Sequence, residues 1–111
     1  MLYHTRPVAR GSHQALVVAD MPFGTYHIST LQALTNALRL IQEGGAGAVK
    51  LEGGKNVAPV IEQLRLHHIP AIAHIGLQPQ TAGLWDGYHT HGIDEDSAWA
   101  LVEAAQTLEE A

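Results

Sequence analysis

The sequence has no cysteine among its 111 residues. Disulfides, thiolate metal ligands and a cysteine nucleophile are therefore excluded, and the expected setting is cytoplasmic. No apolar run approaches the roughly 18 residues that a membrane-spanning helix needs. The opening segment MLYHTRPVAR lacks the apolar stretch of a secretory signal. Basic residues are scarce, 6 against 11 acids, and the formal net charge is −5 with no basic cluster. A nucleic-acid surface needs such a cluster to neutralise phosphates, so neither nucleic acid nor membrane is an expected partner. Nucleotide motifs are missing too: the glycines of EGGAGAVKLEGG match neither GxGxxG in its strand-to-helix context nor a Walker loop.

What the chain does have is core material. Apolar residues make up 46% and charged residues 15%, the balance of one globular domain. Three β-rich runs stand out, each entering a loop with Gly or Pro: ALVVADMPFG (15–24), GAVKLEGG (47–54) and IPAIAHIGLQP (69–79). Their near-continuous apolar character, rich in Val and Ile, predicts parallel strands covered on both faces. A helical pattern follows each. Leu31, Leu34, Leu38 and Ile41 recur at helical spacing after the first, with Ser29 and Gln32 as a capping box and Gly44-Gly45 as a stop. Val57, Val60, Ile61 and Leu64 form the stripe after the second, with Asn56 as the cap and Pro59 tolerated in the first turn. After the third comes a loop and then DEDSAWALVEAAQTLEEA, whose early acids suit the positive end of the helix dipole.

The expected fold is therefore α/β, three βα units with parallel strands and one domain over residues 1–111. The architectures built this way are the open doubly wound sheet and the (β/α)8 barrel, and neither closes with three strands. YHTRPVARG reads as the tail of a helix, and Glu109 and Glu110 stand where the dipole disfavours acids with no glycine stop behind them. The expectation is a segment of something longer, since a complete barrel takes about 250 residues.

Active sites of parallel α/β folds lie at the carboxyl ends of the strands. Each run carries ionisable groups there: Asp20 in VVAD, Lys50 and Glu52 in VKLE, and His74 in AIAH. Counting by twos puts Leu16, Val18 and Asp20 on one face, and Ile72 with His74. Singly, each has a structural reading. Asp20 suits a turn, Lys50 with Glu52 an ion pair, and His74 a hydrogen-bonded core histidine. A buried ion pair contributes little net of desolvation, however, and three separate strand ends carry such groups. Together, Asp20 and Glu52 offer hard oxygen ligands suited to Mg²⁺, and Lys50 would neutralise an anionic substrate or a developing enolate. That chemistry fits a small keto acid or a phosphate ester. Elsewhere, HTH (89–91) has zinc-like ligands but no third partner, and reads as a loop. His67-His68 reads as a helix end and Trp99 as packing on the last helix.

VVADMPFGTY, GAGAVKLEGG and IPAIAHIGLQPQ, in this order and spacing, resemble the ketopantoate hydroxymethyltransferase family, and YHTRPVARG resembles the family's helix before its third strand. The resemblance covers nearly the whole chain and implies strands three to five of a (β/α)8 TIM barrel. It implies transfer of a hydroxymethyl group from 5,10-methylenetetrahydrofolate to 3-methyl-2-oxobutanoate, giving 2-dehydropantoate in pantothenate biosynthesis. It also implies Mg²⁺ as cofactor, with Asp20 a ligand and Glu52 holding the metal through water. Lys50 would bind the keto acid, and His74 would line the pocket. A second aspartate ligand with its neighbouring serine belongs to the family's second strand, before Met1, and the general base to the sixth, after Ala111. In LWDGYHTHGID the chain departs from the family: Asp86, His91 and Ile93 stand where the family has Gly, Gln and Arg.

Two other readings compete. One is a catalytically silent fragment that associates with copies of itself, since strand edges without partners invite association, and a homo-oligomer is expected on either reading. The other is a related barrel acting on phosphoenolpyruvate-like or isocitrate-like acids. DMPFG together with VKLEGG favours the hydroxymethyltransferases.

Overall fold

The computed structural model describes residues 1–85 and 87–111, residue 85 by its backbone alone. Asp86 therefore lies outside the described residues. The elements run α1 (Leu2–Gly11), β1 (Val18–Asp20), α2 (Thr30–Gln42), β2 (Ala48–Glu52), a 3₁₀ turn (Lys55–Val57), α3 (Ala58–Leu66), β3 (Ala71–His74), α4 (Pro79–Trp85) and α5 (Glu95–Glu110). The three strands form one parallel sheet, as the alternation of strand and helix patterns predicts, and they stand in sequence order, β1-β2-β3.

Register divides the sheet into two unlike faces. Val18 pairs with Ala48, Asp20 with Lys50, Lys50 with Ile72 and Glu52 with His74, so these side chains share one face. Ala19, Val49, Leu51, Ala71 and Ala73 alternate onto the other. That second face carries the core. Val49 and Leu51 are fully buried and pack in one cluster with Ala33, Ala37 and Leu40 of α2 and with Val60, Ile61 and Leu64 of α3. Helices α2 and α3 pack on this face. Val18 and Ile72 on the other are exposed, which corrects the expectation of cover on both sides. An apolar run in a strand does not reveal whether its second face is covered by its own chain.

The helix boundaries follow local chemistry. Ser29 caps α2 by accepting from the Gln32 N–H, and Gly44 and Gly45 close the helix by donating to Arg39 and Ile41 carbonyls. The buried stripe of α2, however, is Ala33, Ala37 and Leu40, while Leu34, Leu38 and Ile41 flank it and Leu31 is 72% exposed. Small alanines let the helix approach the sheet closely, so the face is rotated from the one that bulk alone suggested. The Val57, Val60, Ile61 and Leu64 stripe is buried as expected, with Pro59 in the first turn of α3. Asn56 is not its cap, because a 3₁₀ turn over Lys55–Val57 precedes the helix and no side chain caps it.

Three further expectations are corrected. β1 begins only at Val18, so Leu16 lies ahead of the strand and is exposed. The segment after β3 contains a short helix, α4, where a loop was expected. Trp99 is 60% exposed on α5 and is not a core residue. The start of α5 matches the dipole argument and adds to it, since Asp94 and Ser97 form a reciprocal capping box. No helix among the described residues is long and apolar enough to cross a membrane.

Candidate active site

The open face brings the four strand-end residues together. Lys50 lies on the central strand, and its Nζ donates to Asp20 Oδ2 at 2.8 Å and to Glu52 Oε1 at 2.7 Å. His74 Nδ1 stands 3.6 Å from the same Glu52 oxygen. The side chains differ in access: Glu52 is 2% exposed, Lys50 20% and Asp20 46%. Alternation in VKLE thus puts the lysine beside its own glutamate, and the neighbouring strand supplies the second carboxylate.

Two residues that the sequence reading did not single out complete the cluster. Gln80, in the first turn of α4, donates its backbone N–H to Glu52 Oε2 at 3.0 Å. Its side-chain Nε2 donates to Asp20 Oδ1 at 3.0 Å and to the Met21 carbonyl at 2.9 Å. Tyr26, in the loop after β1, donates its hydroxyl to Gln80 Oε1 at 3.0 Å and accepts the Glu52 N–H at 3.1 Å. Tyr26 is buried, and its ring stacks on His27 at 4.1 Å. Pro79 was the available signal: proline at the start of a helix leaves the next N–H pointing outward in search of an acceptor.

The electrostatics follow from this packing. Burial acts to raise the Glu52 pKa, but the Lys50 ammonium, the Gln80 N–H and the nearby His74 outweigh it and hold the carboxyl below its ordinary 4.5. Burial likewise acts against the Lys50 charge, yet hydrogen bonds to Asp20 and Glu52 hold its pKa above the ordinary 10.5. The Tyr26 hydroxyl is raised, chiefly by burial and further by the carboxylate charges nearby. Lys50 and Glu52 therefore hold each other in their charged forms.

As a cation site, the donor set is uneven. Each carboxylate has both oxygens engaged by protein donors, but the Glu52 side chain is buried whereas that of Asp20 is half open to solvent. Among the described residues no group of three or more His, Cys, Asp or Glu gathers into a cage that could hold a metal by itself. A single accessible carboxylate with a buried one behind it suits Mg²⁺, which keeps several waters and accepts substrate oxygens as ligands. The zinc reading of His89 and His91 gains no third ligand among the described residues.

A parallel α/β unit whose ionisable groups gather at the carboxyl ends of its strands has its functional residues where enzymes of this class have theirs. A family model for ketopantoate hydroxymethyltransferase matches residues 1–111, and the chain belongs to that family. It is 51% identical over 111 residues to the 3-methyl-2-oxobutanoate hydroxymethyltransferase of Dehalococcoides mccartyi (strain BAV1), a match covering 100% of this chain and 40% of that protein. The protein of the same name from Geotalea daltonii is also 51% identical, with 100% of this chain and 42% of that one covered. That of Clostridium beijerinckii is 48% identical, with 100% and 40% covered. The chain thus spans about two fifths of the length of these relatives.

Proposed function

We propose that this chain forms strands three to five of a (β/α)8 barrel and supplies the keto-acid- and Mg²⁺-binding strand ends of a cytoplasmic hydroxymethyltransferase of pantothenate biosynthesis. In that reading 3-methyl-2-oxobutanoate receives a hydroxymethyl group from 5,10-methylenetetrahydrofolate. The observation that carries it is the Asp20–Lys50–Glu52 cluster on the uncovered face, within a chain similar throughout to enzymes named for that reaction.

Each residue has a part that its surroundings support. An ammonium has three N–H donors, and Lys50 commits two to Asp20 and Glu52, leaving one for the carboxylate of the keto acid. Asp20 is the accessible carboxylate and would hold Mg²⁺ directly, while Glu52, buried behind it, would hold it through water. Bound Mg²⁺ supplies Lewis acidity toward the keto oxygen, which favours loss of the C3 proton. Glu52 keeps Lys50 charged and aimed outward, and His74, one strand over, lines the pocket. No residue of this chain is assigned as the base.

The test is calorimetric titration of the chain with 3-methyl-2-oxobutanoate, with and without Mg²⁺. We expect Mg²⁺ to tighten binding, and Asp20→Asn to reduce that enhancement by about tenfold or more, since it removes the charge of the direct ligand. Binding that is indifferent to Mg²⁺, or an enhancement that Asp20→Asn leaves intact, would sink the assignment.

A further inference from the structure

The mechanism above uses Asp20, Lys50, Glu52 and His74, but a closed hydrogen-bond circuit through Gln80 and Tyr26 holds two of them. A tyrosine hydroxyl has one proton to give. Tyr26 gives it to Gln80 Oε1, so the lone pair that faces β2 accepts the Glu52 N–H. The amide of Gln80 is thereby oriented: its oxygen is claimed, and its nitrogen turns toward Asp20 Oδ1 and the Met21 carbonyl. The reversed amide would set its oxygen against both of those acceptors and lose both bonds. The backbone N–H of the same residue takes Glu52 Oε2. One glutamine thus ties one oxygen of each carboxylate with a neutral donor, across residues 28 and 60 positions away in sequence. The remaining oxygens, Asp20 Oδ2 and Glu52 Oε1, are the pair on Lys50.

We propose that Gln80, oriented by Tyr26, is a positioning residue for the keto-acid site: it fixes which oxygen of Asp20 and which of Glu52 meet Lys50 and the bound ligand. This rests on the functional reading above. Without the circuit, half-exposed Asp20 would be held by Lys50 alone, and Lys50 would keep only Glu52 as a fixed partner.

The experiment compares the chain with Gln80→Met, Gln80→Glu and Tyr26→Phe. The first readout is hydrogen exchange at the Glu52 amide, which loses its acceptor in Tyr26→Phe and is expected to exchange about tenfold faster. The second is the ratio of 3-methyl-2-oxobutanoate affinity with Mg²⁺ to that without. A variant that is merely less folded weakens both affinities alike and leaves the ratio unchanged. Loss of positioning lowers the ratio, by about tenfold in Gln80→Met, where two donors to charged or carbonyl acceptors vanish. It falls further in Gln80→Glu, which brings a third carboxylate against Asp20. Tyr26→Phe is expected to give a smaller loss, and the double variant Tyr26→Phe/Gln80→Met no more than Gln80→Met alone, because the two act as one unit. Should Gln80→Met fail to fold, Tyr26→Phe, which deletes a single oxygen and keeps the ring, decides between the same outcomes. An unchanged ratio in Gln80→Met, or in Tyr26→Phe in its place, overturns the positioning role. A wild-type ratio of one overturns the keto-acid reading beneath it.

Discussion

Lys50→Ala is expected to destabilise the chain by about 3 kcal/mol at neutral pH, and by much less near pH 4, because it leaves a buried carboxylate without its cation. Glu52 is nearly inaccessible to water and keeps only the Gln80 N–H and the more distant His74 for compensation. The pH dependence has a definite sign. In the wild type the Glu52 pKa is lowered by folding, so its contribution is present above about 4.5 and is lost as the pH falls through the folded value. The Lys50 pKa is raised, so its contribution is present below about 10.5 and is lost as the pH rises through the folded value. The wild-type cluster therefore stabilises between those limits and weakens in acid. In Lys50→Ala the dominant remaining influence on Glu52 is burial, which raises its pKa, and protonation then relieves the variant. Urea midpoints at pH 7 and pH 4 measure both. Parallel losses for the two proteins on acidification would contradict the argument.

Gly53→Ala is expected to cost about 2–5 kcal/mol, combining backbone strain with overpacking. Gly53 has φ +145°, and a Cβ built there would lie 2.6 Å from Val57 Cγ1 and 3.0 Å from Cγ2. Val57 is buried in the core and is β-branched, so it has little freedom to turn aside. The position also matters to the site. Gly53 directly follows Glu52, and its N–H donates to the His74 carbonyl at 3.0 Å, joining the ends of β2 and β3. Gly76→Ala is the control, because Gly76 also has positive φ, +83°, but a Cβ there meets nothing within 4 Å. Thermal unfolding should rank Gly53→Ala well below Gly76→Ala. Equal midpoints would mean that backbone conformation alone, and not the Val57 contact, sets the requirement at Gly53.

The parts of this fold that were legible in the sequence are those governed by local chemistry. The parallel direction of the strands followed from runs of Val, Ile and Ala ending in glycine loops and separated by helical patterns, and the cap at Ser29 and the stop at Gly44-Gly45 followed from residue type. The convergence of Asp20, Lys50, Glu52 and His74 was legible because alternation and parallel register are both geometric rules. The face of α2 was not, since alanine and leucine are both apolar and only the closeness of helix to sheet selects Ala33 and Ala37 over Leu31. Helix α4 was hidden because PQTAGLW is too short for periodicity and opens on a proline. Gln80 and Tyr26 were hidden for a different reason. Neutral polar residues match no metal or acid–base pattern, and their value lies in partners 54 and 26 residues away.

The separation of the sheet into a helix-covered face and an uncovered one gives each strand two kinds of site in alternation. Val49 and Leu51 answer to the interior, whereas Lys50 between them answers to the two carboxylates it bridges. Along β2, then, adjacent residues meet different physical demands, so a change in packing at Val49 or Leu51 and a change in charge at Lys50 act on opposite faces of the sheet. Ala48 and Glu52 share the face of Lys50, yet both are as buried as the core. Glu52 is the charged one of the two, so close packing and ion pairing must be met there by a single side chain.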